Sequence, residues 1–386
     1  MKILMVCQVP LGQKSGAASR TISVVKSLKQ EGHSVTLLSP SYKKYHGSLN
    51  IDVFYIPTSK ARYQWTFLWH FLSFFYIVFL YILKKPNIIY LRITYLSILQ
   101  ALAAKIIRIP LVSEAHTVYA KEFKTLKRNS LTLALAHLFV KRIYQWSSKI
   151  IVITPSIGRS INEDFGIAKD KIFTISNGVD INLYTPKNAI EIKRILGLDE
   201  RCKYVTFVGN FVRWQGLEFL LKAVPKIVNK FSNVKFLLVG DGVEKQKLQF
   251  LSKKLNIEDR IIFIGWIDNN KVSNYINCAS ICVAPFNDVR NMDLAPLKIF
   301  SYLACARPIV TTNVGGINDL IKEIGAGLIV NQGNSDELAT ALIQLLDDEK
   351  LAINMGQKGR RAIEKKYSWN QIVKAMISVF EEAIIS

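Results

Sequence analysis

At 386 residues, with half of them hydrophobic and 21% charged, the chain is long enough for two folded domains and too apolar to be disordered. Its net charge is +22, and the excess is lopsided, because residues 1–150 hold 21 cations against four acids. Five cysteines with no CxxC pair exclude a disulfide or zinc framework, and the lack of zinc-finger spacing, an RRM-like aromatic motif or a sustained heptad zipper argues against nucleic acid; an anionic membrane face or anionic acceptor suits the basic half better.

Lys2–Cys7 reads as a first strand. Its apolar run is too short for a signal peptide and is interrupted by Gln8, Pro10 and Gly12, which points to a cytoplasmic chain. A loop to Ser15 leads into a helix opened by Gly16-Ala-Ala-Ser-Arg20, and Ser34–Ser39 is the second strand, making a βαβ start. Gly12 and Gly16 do not form GxGxxG, and Lys14 is misplaced for a Walker A loop, so neither a dehydrogenase nor an NTPase is supported. Trp65–Leu83 is almost unbroken apolar sequence, long enough to span a bilayer. The strand expected at Asn87–Leu91 belongs to the same sheet, so both flanks lie on one side; the segment is a helix packed on the sheet or lying partly in a bilayer interface. Arg92, just past that strand, is a weak candidate for an anionic acceptor and is read as a solvated arginine. Leu111–His116 is a strand ending in His116; Lys121, Lys124, Lys127 and Arg128 follow, then a helix over Leu131–Trp146.

Lys149–Thr154 is a further strand, and Ile175–Asp180 forms a turn. Lys203–Gly209 opens a second domain, with a loop Asn210–Gly216 after it. Strands at Lys235–Gly240 and Arg260–Gly265 come next, then a short helix Lys271–Cys278. The stretch Ala284–Gly316 carries the chemistry: strand end, polar loop Asn287–Asp293, Pro296 at a helix start, a helix through Leu303, and a new strand from Ile309. Ligands of such sheets bind beyond the carboxyl ends of strands, where helix N-termini suit a diphosphate. The turn Asn313–Gly316 offers a second N-terminus.

This stretch, with PLKIFSYLACARPIV at its centre, resembles the donor site of the GT-B-fold retaining glycosyltransferases called family 4. The turn Ile175-Ser-Asn-Gly-Val-Asp180 and the C-terminal segment from Tyr367 are similar to the same family. The resemblance implies an α/β fold of two Rossmann-like, doubly wound domains facing a cleft. They would be an acceptor domain 1–186, a nucleotide-sugar donor domain 187–366, and a C-terminal helix 367–386 crossing back. The family's acidic residue, seven-residue gap and Glu fall here on Asp293 and Ser301, the latter a weaker partner for ribose hydroxyls. Its diphosphate-binding Arg and Lys fall on Asn210 and Gln215, with Arg213 as a substitute cation; Trp214 either stacks on a base or covers the cleft. Ala306 stands where a Gly is usual.

Carried over to this chain, the implied catalytic residues are Asp293 and His116. The implied donor-binding set is Gly16, Gly209, Asn210, Arg213, Gln215, Leu297, Lys298, Ser301, Gly315 and Gly316. No DxD motif or ligand-spaced cluster is present, so no metal and no cofactor beyond the nucleotide-diphosphate sugar is expected. The expected activity moves a hexose or N-acetylhexosamine to a membrane-associated lipid-linked glycan or surface-polysaccharide precursor, at the inner face of the membrane. A non-catalytic GT-B partner subunit and a sugar-nucleotide epimerase are the alternatives.

Overall fold

The computed structural model describes residues 1–13, 15–42, 44–45, 49–58, 64–117, 130–287 and 296–385 (of 64–66 and 130, the backbone alone). The chain divides into two compact units, Met1–Asn177 with Trp369–Ser386, and Gly178–Ser368. The break therefore falls earlier than the expected 186. Val179 bridges to Ser368 and donates its N–H to the Tyr367 carbonyl at 2.9 Å, while Ile181 and Tyr184 pack into the second unit's core. Those contacts bind 178–186 to the second unit.

In the first unit the order is β1 (Lys2–Val6), α1 (Gly16–Gln30), β2 (Ser34–Pro40), β3 (Asp52–Ile56), α2 (Gln64–Lys84), β4 (Ile88–Arg92), α3 (Ile98–Ile106), β5 (Leu111–Ala115), α4 (Ser130–Trp146), β6 (Lys149–Val152), α5 (Pro155–Phe165) and β7 (Ile172–Thr174). All pairings are parallel, in the order β3-β2-β1-β4-β5-β6-β7. Parallel strands are covered on both faces, which is why they read as Val, Ile and Leu rather than as an alternation. The crossovers after β3, β4 and β5 all step the same way along the sheet, and the one after β1 steps the opposite way. Right-handed connection then puts α2, α3 and α4 on one face and α1 on the other. Local sequence sets the helix ends: Thr154 caps α5 by accepting from the Ile157 N–H, Pro155 fits the first turn, and Gly166 closes it at φ 67°.

The second unit runs α6 (Ala189–Ile195), β8 (Lys203–Val208), α7 (Leu217–Lys230), β9 (Val234–Val239), α8 (Lys245–Lys254), β10 (Ile261–Gly265), α9 (Asn269–Asn277), β11 (Ile281–Ala284), α10 (Leu297–Ala304), β12 (Ile309–Thr312), α11 (Ile317–Ile324), β13 (Gly327–Val330), α12 (Ser335–Asp347) and α13 (Glu349–Ala362). Its sheet is parallel throughout, ordered β10-β9-β8-β11-β12-β13. One core joins Phe207, Leu220, Val224, Phe236 and Leu342; the other joins Cys282, Ile299, Phe300, Leu303 and Ile317. The chain then returns to the first unit as α14 (Trp369–Ile385), which places Phe380 5.3 Å from the Tyr90 ring and Glu382 3.1 Å from Lys149. Strand order reverses between β1 and β4 in one sheet and between β8 and β11 in the other. Such switch points open a crevice at the carboxyl ends of the strands.

Candidate functional site

In the second unit the loop after β8 is clamped from two sides. The Phe211 N–H donates to the Asp241 carbonyl at 2.9 Å, and the Asn287 N–H donates to the Trp214 carbonyl at 2.9 Å. Gly216 sits at φ 69°, and a Cβ there would lie 1.7 Å from the Pro285 carbonyl oxygen, so only glycine allows this approach. The clamp brings Gly209 and Gln215, from the end of β8, against Lys298 in the first turn of α10. Lys298 Nζ donates to Gln215 Oε1 at 2.6 Å and lies 3.9 Å over the Phe207 ring. A Cβ on Gly209 would meet that ammonium at 2.6 Å, which leaves the Gly209 backbone open beside it. Burial drives the Lys298 pKa well below the ordinary lysine value. Among the described residues no carboxylate pairs with it.

The remaining expected donor residues fall into two groups. Asn210 and Arg213 are exposed on the same loop, and Leu297 is half-buried at the start of α10. Trp214 is half-buried and stacks one face on Phe286, with ring centres 6.0 Å apart. Ser301 is buried and donates to the Leu297 carbonyl at 3.2 Å, beside the Tyr184 hydroxyl. Its O–H is thus spent on its own helix, and its oxygen lies at the Tyr184 hydroxyl. Gly315 is exposed and Gly316, at φ 62°, precedes α11 beyond β12. Asp293 lies outside the described residues, as do Lys14, Lys121, Lys124, Lys127 and Arg128.

The first unit builds a different constellation at the ends of β4 and β5. Glu114 Oε1 accepts from Arg20 Nε at 3.1 Å and from Nη2 at 2.5 Å, and Arg20 Nη1 donates to Asn177 Oδ1 at 2.6 Å. Glu114 Oε2 lies 2.6 Å from His116 Nε2. Burial pushes the Glu114 carboxyl up, but Arg20 and then His116 outweigh it and hold it well below the carboxylate range. An ionised carboxylate only accepts, so Nε2 carries the His116 proton and Nδ1 is left as an acceptor. Burial lowers the His116 pKa to about 4, despite the pull of Glu114, so the ring is neutral at pH 7. Arg92 is not the solvated arginine expected: its Nη1 is buried without a partner among the described residues, and its charge bears on both Glu114 and His116. Gly16 is the exposed first residue of α1, whose cap Ser15 accepts from the Ala18 N–H.

Sequence reasoning missed Arg20 and Glu114. The signal for each was present. Arg20 falls at four-residue steps with Val24 and Leu28 on the buried face of α1, and Glu114 interrupts an otherwise buried parallel strand. A charge in such a position is paired or functional.

Residues 188–362 match the family described as glycosyl transferases group 1, and residues 14–183 match glycosyltransferase family 4. Among curated proteins, the chain is 28% identical over 235 residues to N-acetyl-alpha-D-glucosaminyl L-malate synthase of Bacillus anthracis, covering 60% of each. It is 26% identical over 283 residues to the UDP-Gal:alpha-D-GlcNAc-diphosphoundecaprenol alpha-1,3-galactosyltransferase of Escherichia coli, covering 70% of this chain and 69% of the relative. Over the first of the curated relatives the chain spans 60% to 61% of their length. Two solved structures share the fold: sucrose-phosphate synthase of Thermosynechococcus elongatus (TM-score 0.81, 18% identity, 100% of this chain and 99% of that one), and Anabaena HepE in complex with UDP (TM-score 0.79, 19% identity, 99% and 100%).

Proposed function

The chain belongs to the group 1 glycosyltransferases of GT-B fold, and from that premise we propose that it is a retaining glycosyltransferase acting on a nucleotide-diphosphate sugar. It moves a hexose or N-acetylhexosamine to a membrane-associated lipid-linked glycan or surface-polysaccharide precursor, as a peripheral protein on the cytoplasmic face. The observation that carries the reading is Lys298: a desolvated ammonium at the β8/β11 switch point, beside the open Gly209 backbone, with no carboxylate partner among the described residues. The family's loop lysine is a glutamine here, and that glutamine positions a lysine from the neighbouring helix. A diphosphate supplies the missing counter-charge. As the bond from the sugar carbon to the diphosphate breaks, charge grows on the leaving oxygen, and a preorganised ammonium stabilises it without a metal. Arg213 and the N-termini of α10 and α11 add to the same field.

Asp293 holds the donor sugar in this reading. His116, neutral and with Nδ1 free to accept among the described residues, takes a hydrogen bond from a sugar or acceptor hydroxyl, while the Arg92 donor, unpartnered among those residues, suits an anionic acceptor group. Relatives support the substrate classes: one is named for a diphosphoundecaprenol-linked sugar, and HepE was solved with UDP. A second reading, a non-catalytic partner subunit, is favoured by Ser301, whose hydroxyl is taken by Leu297 and carries no charge for a ribose.

A thermal-shift screen with UDP, GDP, ADP and their sugars separates the two. Ligand at 100 times its dissociation constant stabilises by about 2.7 kcal/mol. A shift with one nucleotide, followed by transfer with the anomeric configuration kept, is the expected result. No shift with any of them, in a folded protein, favours the partner subunit.

A further inference from the structure

Helix α2 has two apolar faces. Trp69, Ser73, Ile77 and Leu80 are buried against the unit, while Phe67, Phe71, Phe75 and Phe79, spaced by four, are between 46% and 62% exposed. Helix α4, in the same layer on the other side of α3, exposes Leu131, Leu135 and Leu138 along one face. A row of half-exposed phenylalanines of this length is costly in water and is not scattered surface apolarity. Charge follows the same layer. None of α2, α3 and α4 contains an Asp or Glu. Exposed cations stand at or just beyond their C-terminal ends: Lys85 after α2, Lys105 and Arg108 at the end of α3, Arg142 near the end of α4. The three helices all run against parallel strands, so these ends share one edge of the layer.

We propose that this layer is a membrane-docking surface, in which the α2 phenylalanines and α4 leucines enter the interfacial zone of one anionic leaflet while Lys85, Lys105, Arg108 and Arg142 contact its headgroups. An acid-free aromatic and leucine face with a cationic edge is the chemistry such an interface selects. A full span is excluded by connectivity: β3 and β4, on either side of α2, lie in one sheet, so both helix ends stay on the same side. The inference names where the chain meets lipid, and rests on the proposed function only for what that lipid carries.

The test uses the whole chain without nucleotide or acceptor, so it fails separately from the transferase reading. Flotation with phosphatidylglycerol–phosphatidylcholine vesicles is compared at low salt and at about 1 M, where the screening length falls to about 3 Å. Wild type is expected to float at both. The triple variant Phe71→Ser, Phe75→Ser, Phe79→Ser should lose about tenfold or more of its partition coefficient at both salts, with its circular dichroism unchanged. Substituting Lys85, Lys105 and Arg108 by Gln should weaken binding chiefly at low salt. A single Phe75→Trp variant, which keeps the face apolar, should show a blue-shifted emission that brominated acyl chains quench. The proposal is overturned if wild type does not float, if high salt alone releases it and the Phe variant binds as wild type does, or if the Trp emission is untouched by brominated lipid. A concentration-dependent dimer that the Phe substitutions dissolve, with no flotation, would instead assign the face to a second copy.

Discussion

The two units solve the problem of a buried charge in opposite ways. At the ends of β4 and β5, Arg20 and Glu114 neutralise one another and a neutral His116 bonds the same carboxylate, through bonds of 2.5 to 3.1 Å, with Asn177 taking a further guanidinium N–H. At the β8/β11 switch point Lys298 has an amide oxygen and an aromatic ring, and no carboxylate among the described residues. In the first, the Arg20–Glu114 pair is closed before any ligand arrives and sets geometry, including the His116 tautomer, while Arg92 beside it keeps a donor with no partner among the described residues. Among the described residues, the second is left open by one negative charge. Burial without compensation is tolerated in a folded protein where a ligand supplies the partner, and such perturbed groups concentrate at functional sites. The contrast teaches that positioning and binding can be told apart by whether the charge is already answered within the chain.

Breaking the closed cluster should have the largest effect. Glu114→Ala leaves the Arg20 guanidinium buried without its partner, and urea unfolding should show a loss of about 3–5 kcal/mol. Glu114→Gln should cost less and also free the His116 tautomer, so transfer should fall more than stability does.

The next effect is a pH dependence confined to the first unit. Burial lowers both His116 and His70 to about 4, against 6.5 in the unfolded chain. Between those values the unfolded state binds protons that the native state refuses, so stability is intact above pH 6.5 and falls as pH drops toward 4. Each histidine contributes about 3 kcal/mol over that window. His70 is buried with its Nδ1 2.7 Å from Gln100 Nε2 and plays no part in the site, so His70→Gln should remove about half of the slope without moving transfer. A flat stability profile from pH 6.5 to 4 would contradict the closed-cluster account.

Smaller effects sharpen the open side. A carboxylate in place of Ser301 can accept from both ribose hydroxyls, so Ser301→Glu should tighten nucleotide binding by about 1–2 kcal/mol in calorimetry, provided the new side chain turns away from Leu297. The smallest concerns Ala306, which sits just past α10 at φ 54°, a left-handed conformation that disfavours any Cβ. Ala306→Gly should raise stability by at most about 1 kcal/mol, because the relief of strain is partly offset by the looser unfolded chain.

Much of this was legible in the sequence. Hydrophobic periodicity and turn residues located the central strands of both parallel sheets but not the edge strands β3, β7 and β13, and the Pro296–Leu303 helix start pointed to Lys298. Ala306 stood out as a residue where glycine belongs, and its positive φ supplies the reason. What escaped is what depends on distance across the fold. Arg20 and Glu114 are 94 positions apart and meet because α1 and β5 converge beside β1 and β4. Gln215 looked like a lost phosphate ligand because its partner, Lys298, is 83 positions away. The unit boundary shifted for the same reason: the Val179–Ser368 bridge is a long-range pairing that local turn signals do not announce.

If Lys298 answers the donor's diphosphate, its loss should be felt in binding and not in folding. Calorimetric titration of the best nucleoside diphosphate into wild type and Lys298→Met, at about pH 8 in two buffers of different ionisation enthalpy, tests it most directly. Burial holds the free ammonium's pKa down, and an arriving diphosphate raises it, so any proton exchanged at Lys298 on binding should be taken up, not released. The variant keeps the apolar contact with Phe207 and should fold normally, yet lose both the uptake and about tenfold or more in affinity, as expected for a charge-assisted bond of about 1.5–3 kcal/mol. Equal affinity and equal proton exchange in the two proteins would contradict the account.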